Sequence, residues 1–121
     1  MAEASARVMV VEDAPEYQGA VVLALLLEPE YKDVHLSSSG EEALEDFESV
    51  APELVLLDYR LPGIDGLETA RRMKAQRPDV KVVLVTAHAE EIFARAAKEA
   101  GIEEIIPKSQ LSVSRLQGLL E

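Results

Sequence analysis

Four consecutive apolar residues, Leu54 to Leu57, run directly into an acid, Asp58, and then into a dense set of turn residues, Pro62-Gly63 and Asp65-Gly66. Four residues are too few for a buried helix, and an apolar run bounded by turn signals reads as a strand covered on both faces. Strands of that kind belong to parallel sheets flanked by helices. Open parallel sheets bind ligands outside the carboxyl ends of their strands. Asp58 therefore stands where chemistry is expected. Taken alone, it is equally compatible with an acid that merely ends a strand or caps the helix opening at Leu67.

The rest of the chain repeats the theme. Arg7 to Glu12 is a first strand, ending in Glu12 and Asp13, and Pro15 sits where a helix start tolerates a missing N–H. A helix over 15–28 is predicted, stopped by Pro29; its apolar residues cover more than one face, which suits a helix wedged between sheet and neighbours, with an oligomer contact as the alternative. A second, weaker strand spans 33–37, and Ser39 is a plausible cap for a helix running to Val50 and closed by Pro52. After the Asp58 strand, a third helix covers 66–77, with Leu67, Ala70 and Met73 on one face. Arg71, Arg72, Lys74 and Arg77 near its end are read as dipole and surface pairing. Val80 to Thr86 is the fourth strand, 89–100 an Ala-rich helix stopped by Gly101, 103–107 a short fifth strand followed at once by Lys108, and 110–121 a closing helix. Five strands alternating with five helices define a doubly wound α/β fold with right-handed crossovers.

At 121 residues the chain is expected to be one domain over 1–121, and with 48% hydrophobic residues it can bury a core. The longest apolar run, Val21 to Leu27, is too short for a bilayer, and the N-terminus lacks the basic-then-apolar pattern of a signal peptide. Without cysteines there is neither disulfide nor thiolate metal site. A soluble cytoplasmic protein without membrane association is expected. The net charge of −11 opposes nucleic-acid binding by this chain.

The informative pattern is where the polar residues fall. The first strand ends in Glu12 and Asp13, the third in Asp58, the fourth in Thr86 and the fifth in Lys108. In a parallel sheet these collect at one edge. Three crowded carboxylates suit Mg2+, a hard cation that takes one or two carboxylates and favours a phosphate oxygen as a further ligand. A hydroxyl and an ammonium complete a site able to stabilise a phosphoryl group in transfer, and an aspartate can itself be the nucleophile.

With these residues in order, the chain resembles the response-regulator receiver domains of two-component signalling over nearly its whole length. The resemblance rests on the acidic pair Glu12-Asp13, the motif Leu-Leu-Asp58-Tyr-Arg-Leu-Pro-Gly-Ile-Asp-Gly66, Val-Thr86-Ala87 and Lys108 after the fifth strand. It implies a flavodoxin-like five-stranded sheet of order 2-1-3-4-5. It implies that Asp58 accepts phosphate from a histidine kinase or phosphotransfer protein. Asp13 would bind Mg2+ directly and Glu12 through water, with Asp58 and the backbone carbonyl of Arg60 completing the ligands. Thr86 and Lys108 would hold phosphate oxygens. The output would be a change on the face of the fourth helix and fifth strand, controlling a partner protein or output domain, with homodimerisation on activation a further expectation. Such a domain assists its own phosphotransfer and dephosphorylation but is not an enzyme in the turnover sense.

Two departures stand out. Ser109 follows Lys108 where the family usually has Pro, so a trans Lys108–Ser109 bond is expected. Ile105 occupies the position that commonly carries Tyr or Phe. His88, two residues after Thr86, and Arg60 are expected to flank the phosphoryl group, His88 also being compatible with a solvated loop residue and His35 with a structural one. Two other functions compete. A pseudo-receiver interaction module would lack phosphoacceptance, against which all five polar positions argue. An aspartate-nucleophile phosphatase would place an acid two residues after the nucleophile, where this chain has Arg60.

Overall fold

The computed structural model describes residues 6–17, 31–92, 94–112, 115 and 119. Five parallel strands, β1 (Ala6–Val11), β2 (Tyr31–Ser37), β3 (Leu54–Leu57), β4 (Lys81–Thr86) and β5 (Glu104–Pro107), form one sheet in the order β2-β1-β3-β4-β5. The helices α1 (Gly40–Val50), α2 (Gly66–Gln76) and α3 (Ala94–Glu99) follow β2, β3 and β4. The sheet order is the flavodoxin-like one. The first predicted helix lies outside the described residues except for its turn at 15–17, and so does most of the last.

Side chains alternate across the sheet, so the strands β1, β3 and β4 feed two cores. Met9, Val11, Val55, Leu57, Val82 and Leu84 point to one face, where Phe47 of α1, Met73 of α2 and Ala97 of α3 cover them. Val8, Val10, Leu54, Leu56, Val83, Val85 and Ile106 point to the other, with Leu119 among them and Tyr17, Val34 and Leu111 packed alongside. All four β3 residues are buried, which is why their run is unbroken by polar residues.

Register brings the strand ends level. Val11 pairs with Leu57, Leu57 with Leu84 and Thr86 with Pro107. The next residues along, Glu12, Asp58 and Lys108, therefore emerge at the same edge.

The helix starts obey local chemistry. The Ser39 hydroxyl accepts from Glu42 N–H at 3.0 Å, and the Asp65 carboxylate accepts from Glu68 N–H at 2.9 Å. The α2 cap is thus Asp65, which leaves Asp58 uncommitted to that task. Helix α1 ends at Ala51 with φ 49°, a left-handed turn ahead of Pro52, whose ring disfavours helical backbone in the residue before it. Gly66 is required by close approach: a Cβ there would lie 2.3 Å from the Asp58 carbonyl oxygen. That contact ties the start of α2 to the end of β3.

Two predicted boundaries need correction. The fourth predicted helix does not begin at Ala89. Ala89–Glu91 is a single 3-10 turn, Ile92 is extended, and regular helix begins at Ala94. Local alanine propensity yields here to tertiary contacts, since Ile92 packs on the core and Glu91 is drawn to Arg60. The closing helix likewise does not begin at Gln110. Lys108–Gln110 is a 3-10 turn and Leu111 is extended. Ser112 supplies the cap signal, its hydroxyl accepting from Arg115 N–H at 3.3 Å. No peptide bond among the described residues is cis, so Lys108–Ser109 is trans as expected.

Candidate functional site

The carboxylates of Glu12, Asp13 and Asp58 offer oxygens within 4.8 Å of one another. Glu12 and Asp58 are buried, whereas Asp13 is exposed at the rim. Lys108 reaches across from β5: its Nζ lies 2.8 Å from Glu12 Oε1 and 3.2 Å from Asp58 Oδ2. Backbone groups hold the remaining oxygens. Ala14 N–H donates to Glu12 Oε2 at 3.0 Å and Tyr59 N–H to Asp58 Oδ1 at 2.7 Å. The Asp58 carboxylate is therefore oriented from both sides.

Charge in this setting has a clear sign. Burial pushes the Glu12 carboxyl above its ordinary value, with Asp58 adding repulsion, while the Lys108 and Ala14 hydrogen bonds pull the other way. Burial disfavours the Lys108 ammonium, yet its bonds and charge attraction to Glu12 and Asp58 outweigh that and raise its pKa. Among the described residues, Lys108 bonds two carboxylates of the three-acid cluster, and the lysine stays charged.

Thr86 is fully buried at the end of β4, and its Oγ1 accepts from His88 N–H at 3.0 Å. The side chains of Arg60 and His88, expected to flank the phosphoryl group, make their described contacts elsewhere. Both turn to Glu91: Arg60 Nη2 lies 2.5 Å from Glu91 Oε1, and His88 Nδ1 lies 3.7 Å from Oε2. The Arg60 contact holds the Glu91 carboxyl below its usual value. His35, the other histidine, pairs with Asp46 on α1 at 3.0 Å, in keeping with its structural reading. The basic residues of α2 also serve pairing: Arg71 and Arg72 contact Glu68, and Lys74 contacts Glu103.

Two residues at the site carried no signal in the sequence. Glu91 was hidden by the assumption of a continuous helix. Tyr17 stands four residues after Asp13, one helical turn on, and its ring centroid lies 4.3 Å from Lys108 Nζ. Tyr17, Leu111, Glu12 and Asp58 line a small cavity between the second core and the acidic edge.

A parallel sheet of order 2-1-3-4-5 whose carboxyl edge gathers three acids, a hydroxyl and a lysine defines the class of flavodoxin-like α/β folds with an acidic site at the strand ends. The comparisons narrow it: residues 8–120 match the response regulator receiver domain, and the chain belongs to that family of two-component systems. The chain is 36% identical over 95 residues to the response regulator GacA of Pseudomonas viridiflava, an alignment covering 78% of this chain and 44% of GacA. It is 30% identical over 115 residues to the probable transcriptional regulatory protein NarL of Mycobacterium tuberculosis, covering 95% of this chain and 53% of NarL. The chain thus spans about half the length of these relatives. Among solved structures, the response regulator TrrA of Thermotoga maritima in complex with Mg2+-BeF superposes with a TM-score of 0.82 at 31% identity, covering 93% of each chain. A CheY-like receiver domain protein from Methanospirillum hungatei superposes with a TM-score of 0.83 at 25% identity, covering 93% of this chain and 88% of that one. No helix among the described residues is long and apolar enough to cross a membrane.

Proposed function

We propose that this chain is a phosphorylation-activated switch in which Asp58 accepts a phosphoryl group from the phosphohistidine of a partner kinase or phosphotransfer protein. The observation that carries the reading is Lys108 Nζ, bonded to both Glu12 and Asp58 beside a third carboxylate, Asp13. The donor set fits Mg2+: hard oxygens, crowded negative charge and one rim carboxylate open to solvent. Glu12, Asp13, Asp58 and the Arg60 carbonyl would hold the ion. When bound, it supplies charge neutralisation and a Lewis-acid contact to a phosphoryl oxygen.

The chain's own residues do the rest. Tyr59 N–H holds Asp58 Oδ1, so the carboxylate is fixed in orientation as it attacks phosphorus. The P–N bond of the donor breaks as the P–O bond to Asp58 forms, and the histidine nitrogen leaves with the electron pair. Lys108 moves from the Asp58 carboxylate to an oxygen of the incoming group, and Thr86 donates its hydroxyl proton to another. The latter requires Thr86 to turn within a buried setting and the 86–90 segment to shift with it. This motion would convey the signal to an output domain or partner protein, as the transcriptional relatives suggest.

Incubation with Mg2+ and the small acyl-phosphate donor acetyl phosphate tests the reading by intact mass. One added phosphoryl group on the unaltered protein, absent from Asp58→Asn, is the expected result. Equal labelling of both rejects Asp58 as the acceptor, and labelling of neither rejects the reading in favour of an interaction module.

A further inference from the structure

The Tyr17 ring lies under a lysine that already has two carboxylate partners. A lysine side chain is a flexible four-carbon stem with a mobile ammonium, so two ionic contacts leave its head free to slide between them. The contacts are unequal: 2.8 Å to Glu12 and 3.2 Å to Asp58. Collapse onto Glu12, the more deeply buried carboxylate, would withdraw the ammonium from the acceptor. Backbone restraint on Lys108 comes from a short 3-10 turn, Lys108–Gln110, with Ser109 rather than Pro after it. A third wall is needed to hold the head between its partners.

Tyr17 supplies one. An aromatic face carries negative quadrupole charge and attracts an ammonium within about 6 Å of its centroid. The ring is half-buried, lines the cavity with Glu12 and Asp58, and faces a desolvated lysine, the setting in which such contacts are strongest. The phenol oxygen is buried and finds no hydrogen-bond partner among the described residues, so the ring, rather than the hydroxyl, makes the described contact with the site. The ring face is the working part.

We propose that Tyr17 is a positioning residue: its ring seats the Lys108 ammonium midway between Glu12 and Asp58 and thereby sets the rate at which Asp58 takes up a phosphoryl group. The kinetic half of this rests on the phosphoacceptor reading, whereas the seating of the lysine stands independently of it. Tyr17→Phe keeps the ring and loses the unpartnered hydroxyl. Tyr17→Leu and Tyr17→Met lose the ring face, and either suffices if the other fails to fold.

Two measurements on the full chain test it. Proton NMR of Lys108 reads the seat directly, because protons over a ring face are displaced upfield. The Lys108 ε-methylene resonances are expected upfield in the unaltered protein and Tyr17→Phe, and at ordinary lysine positions in Tyr17→Leu and Tyr17→Met. Phosphorylation by acetyl phosphate with Mg2+ is expected to slow by about fivefold or more in the ring-less variants, and by less than about twofold in Tyr17→Phe. The proposal is overturned if the unaltered protein shows no upfield displacement, if a folded ring-less variant keeps the full rate, or if Tyr17→Phe falls as far as Tyr17→Leu. If the unaltered protein takes up no phosphoryl group, the phosphoacceptor reading fails, and the NMR comparison alone still decides whether the ring seats the lysine.

Discussion

The two edges of the sheet each carry a lysine, and they use it in opposite ways. At the amino edge, Lys74 Nζ lies 2.5 Å from the Val80 carbonyl, 2.7 Å from Glu103 and 3.3 Å from the Pro78 carbonyl. Glu103 accepts in turn from Val82 N–H at 2.8 Å. Nearby, Arg7 Nε holds the carbonyls of Val50 and Ala51, where α1 ends. Cations there close off loose carbonyls, and Glu103 has both a cation and an N–H. At the carboxyl edge, Lys108 faces Glu12 and Asp58 with Asp13 beside them, so acid outnumbers base. Among the described residues, one edge is closed by its own groups, and the other holds more acid than base. Stability belongs to the first, and the proposed capacity for a cation and a phosphoryl group to the second.

The contrast can be broken most sharply at Lys74. Lys74→Met should cost about 3 kcal/mol, because it leaves carbonyls and a carboxylate at the amino edge without their donor. The loss should be the same with and without Mg2+ in denaturant titrations. A loss that Mg2+ repairs would mean the two edges are not independent.

Asp13 is the complementary test. A site present only in the folded chain gains about 2.7 kcal/mol at a hundredfold excess of Mg2+ over Kd. Asp13→Ala should remove most of that gain while leaving the metal-free protein as stable or more so, since one repelling charge goes with the ligand. Asp33→Ala, on β2 away from the acidic group, should keep the gain. Thermal melts at constant ionic strength hold screening fixed. Equal gains for the unaltered protein and Asp13→Ala would place the metal elsewhere.

Acid should separate two carboxylates whose shifts have opposite signs. The folded Glu12 carboxyl titrates above its unfolded value, chiefly through burial. The folded state therefore binds the proton more readily than the unfolded chain. Its contribution is fully present below the unfolded pKa and is lost as pH rises through the raised folded value. Metal-free stability of the unaltered protein should thus fall over that interval relative to Glu12→Gln. Glu68 on α2 carries the opposite sign, held low by Arg72 and then Arg71. Any contribution it makes appears above its unfolded pKa and fades as pH falls through the lowered value. Parallel pH-stability curves for Glu12→Gln and the unaltered protein would contradict the burial assigned to Glu12.

The smallest effect lies at the end of α1. Ala51 holds φ 49°, a conformation that costs a Cβ-bearing residue but not glycine. Ala51→Gly should stabilise by about 1 kcal/mol or less, independently of Mg2+. A destabilised variant would show that the Ala51 methyl contributes more packing than its backbone costs.

Much of this architecture was already written in residue order. Unbroken apolar runs such as Leu54–Leu57 fixed the strands within a residue or two, because burial on both faces leaves no room for polar alternation. Ser39 and Pro52 marked the ends of α1 through local chemistry that needs no distant partner, and Asp65 was legible as a turn residue. The acids, the threonine and the lysine were legible as a set because each ends a strand and parallel strands end together. The tertiary structure alone decided where the chain's own preferences were overruled or where partners came from far apart in sequence. Alanine-rich 89–100 reads as one helix, yet Arg60, 31 residues before Glu91, and the core contact of Ile92 hold its first turn out of the helix. Tyr17 and Lys108 meet only because β1 and β5 deliver them to one edge, and no periodicity links residues so far apart. Sequence sets what depends on neighbours along the chain and on the alternation of faces. Which side chains share charge, and which ring lies under which ammonium, is set by packing between elements.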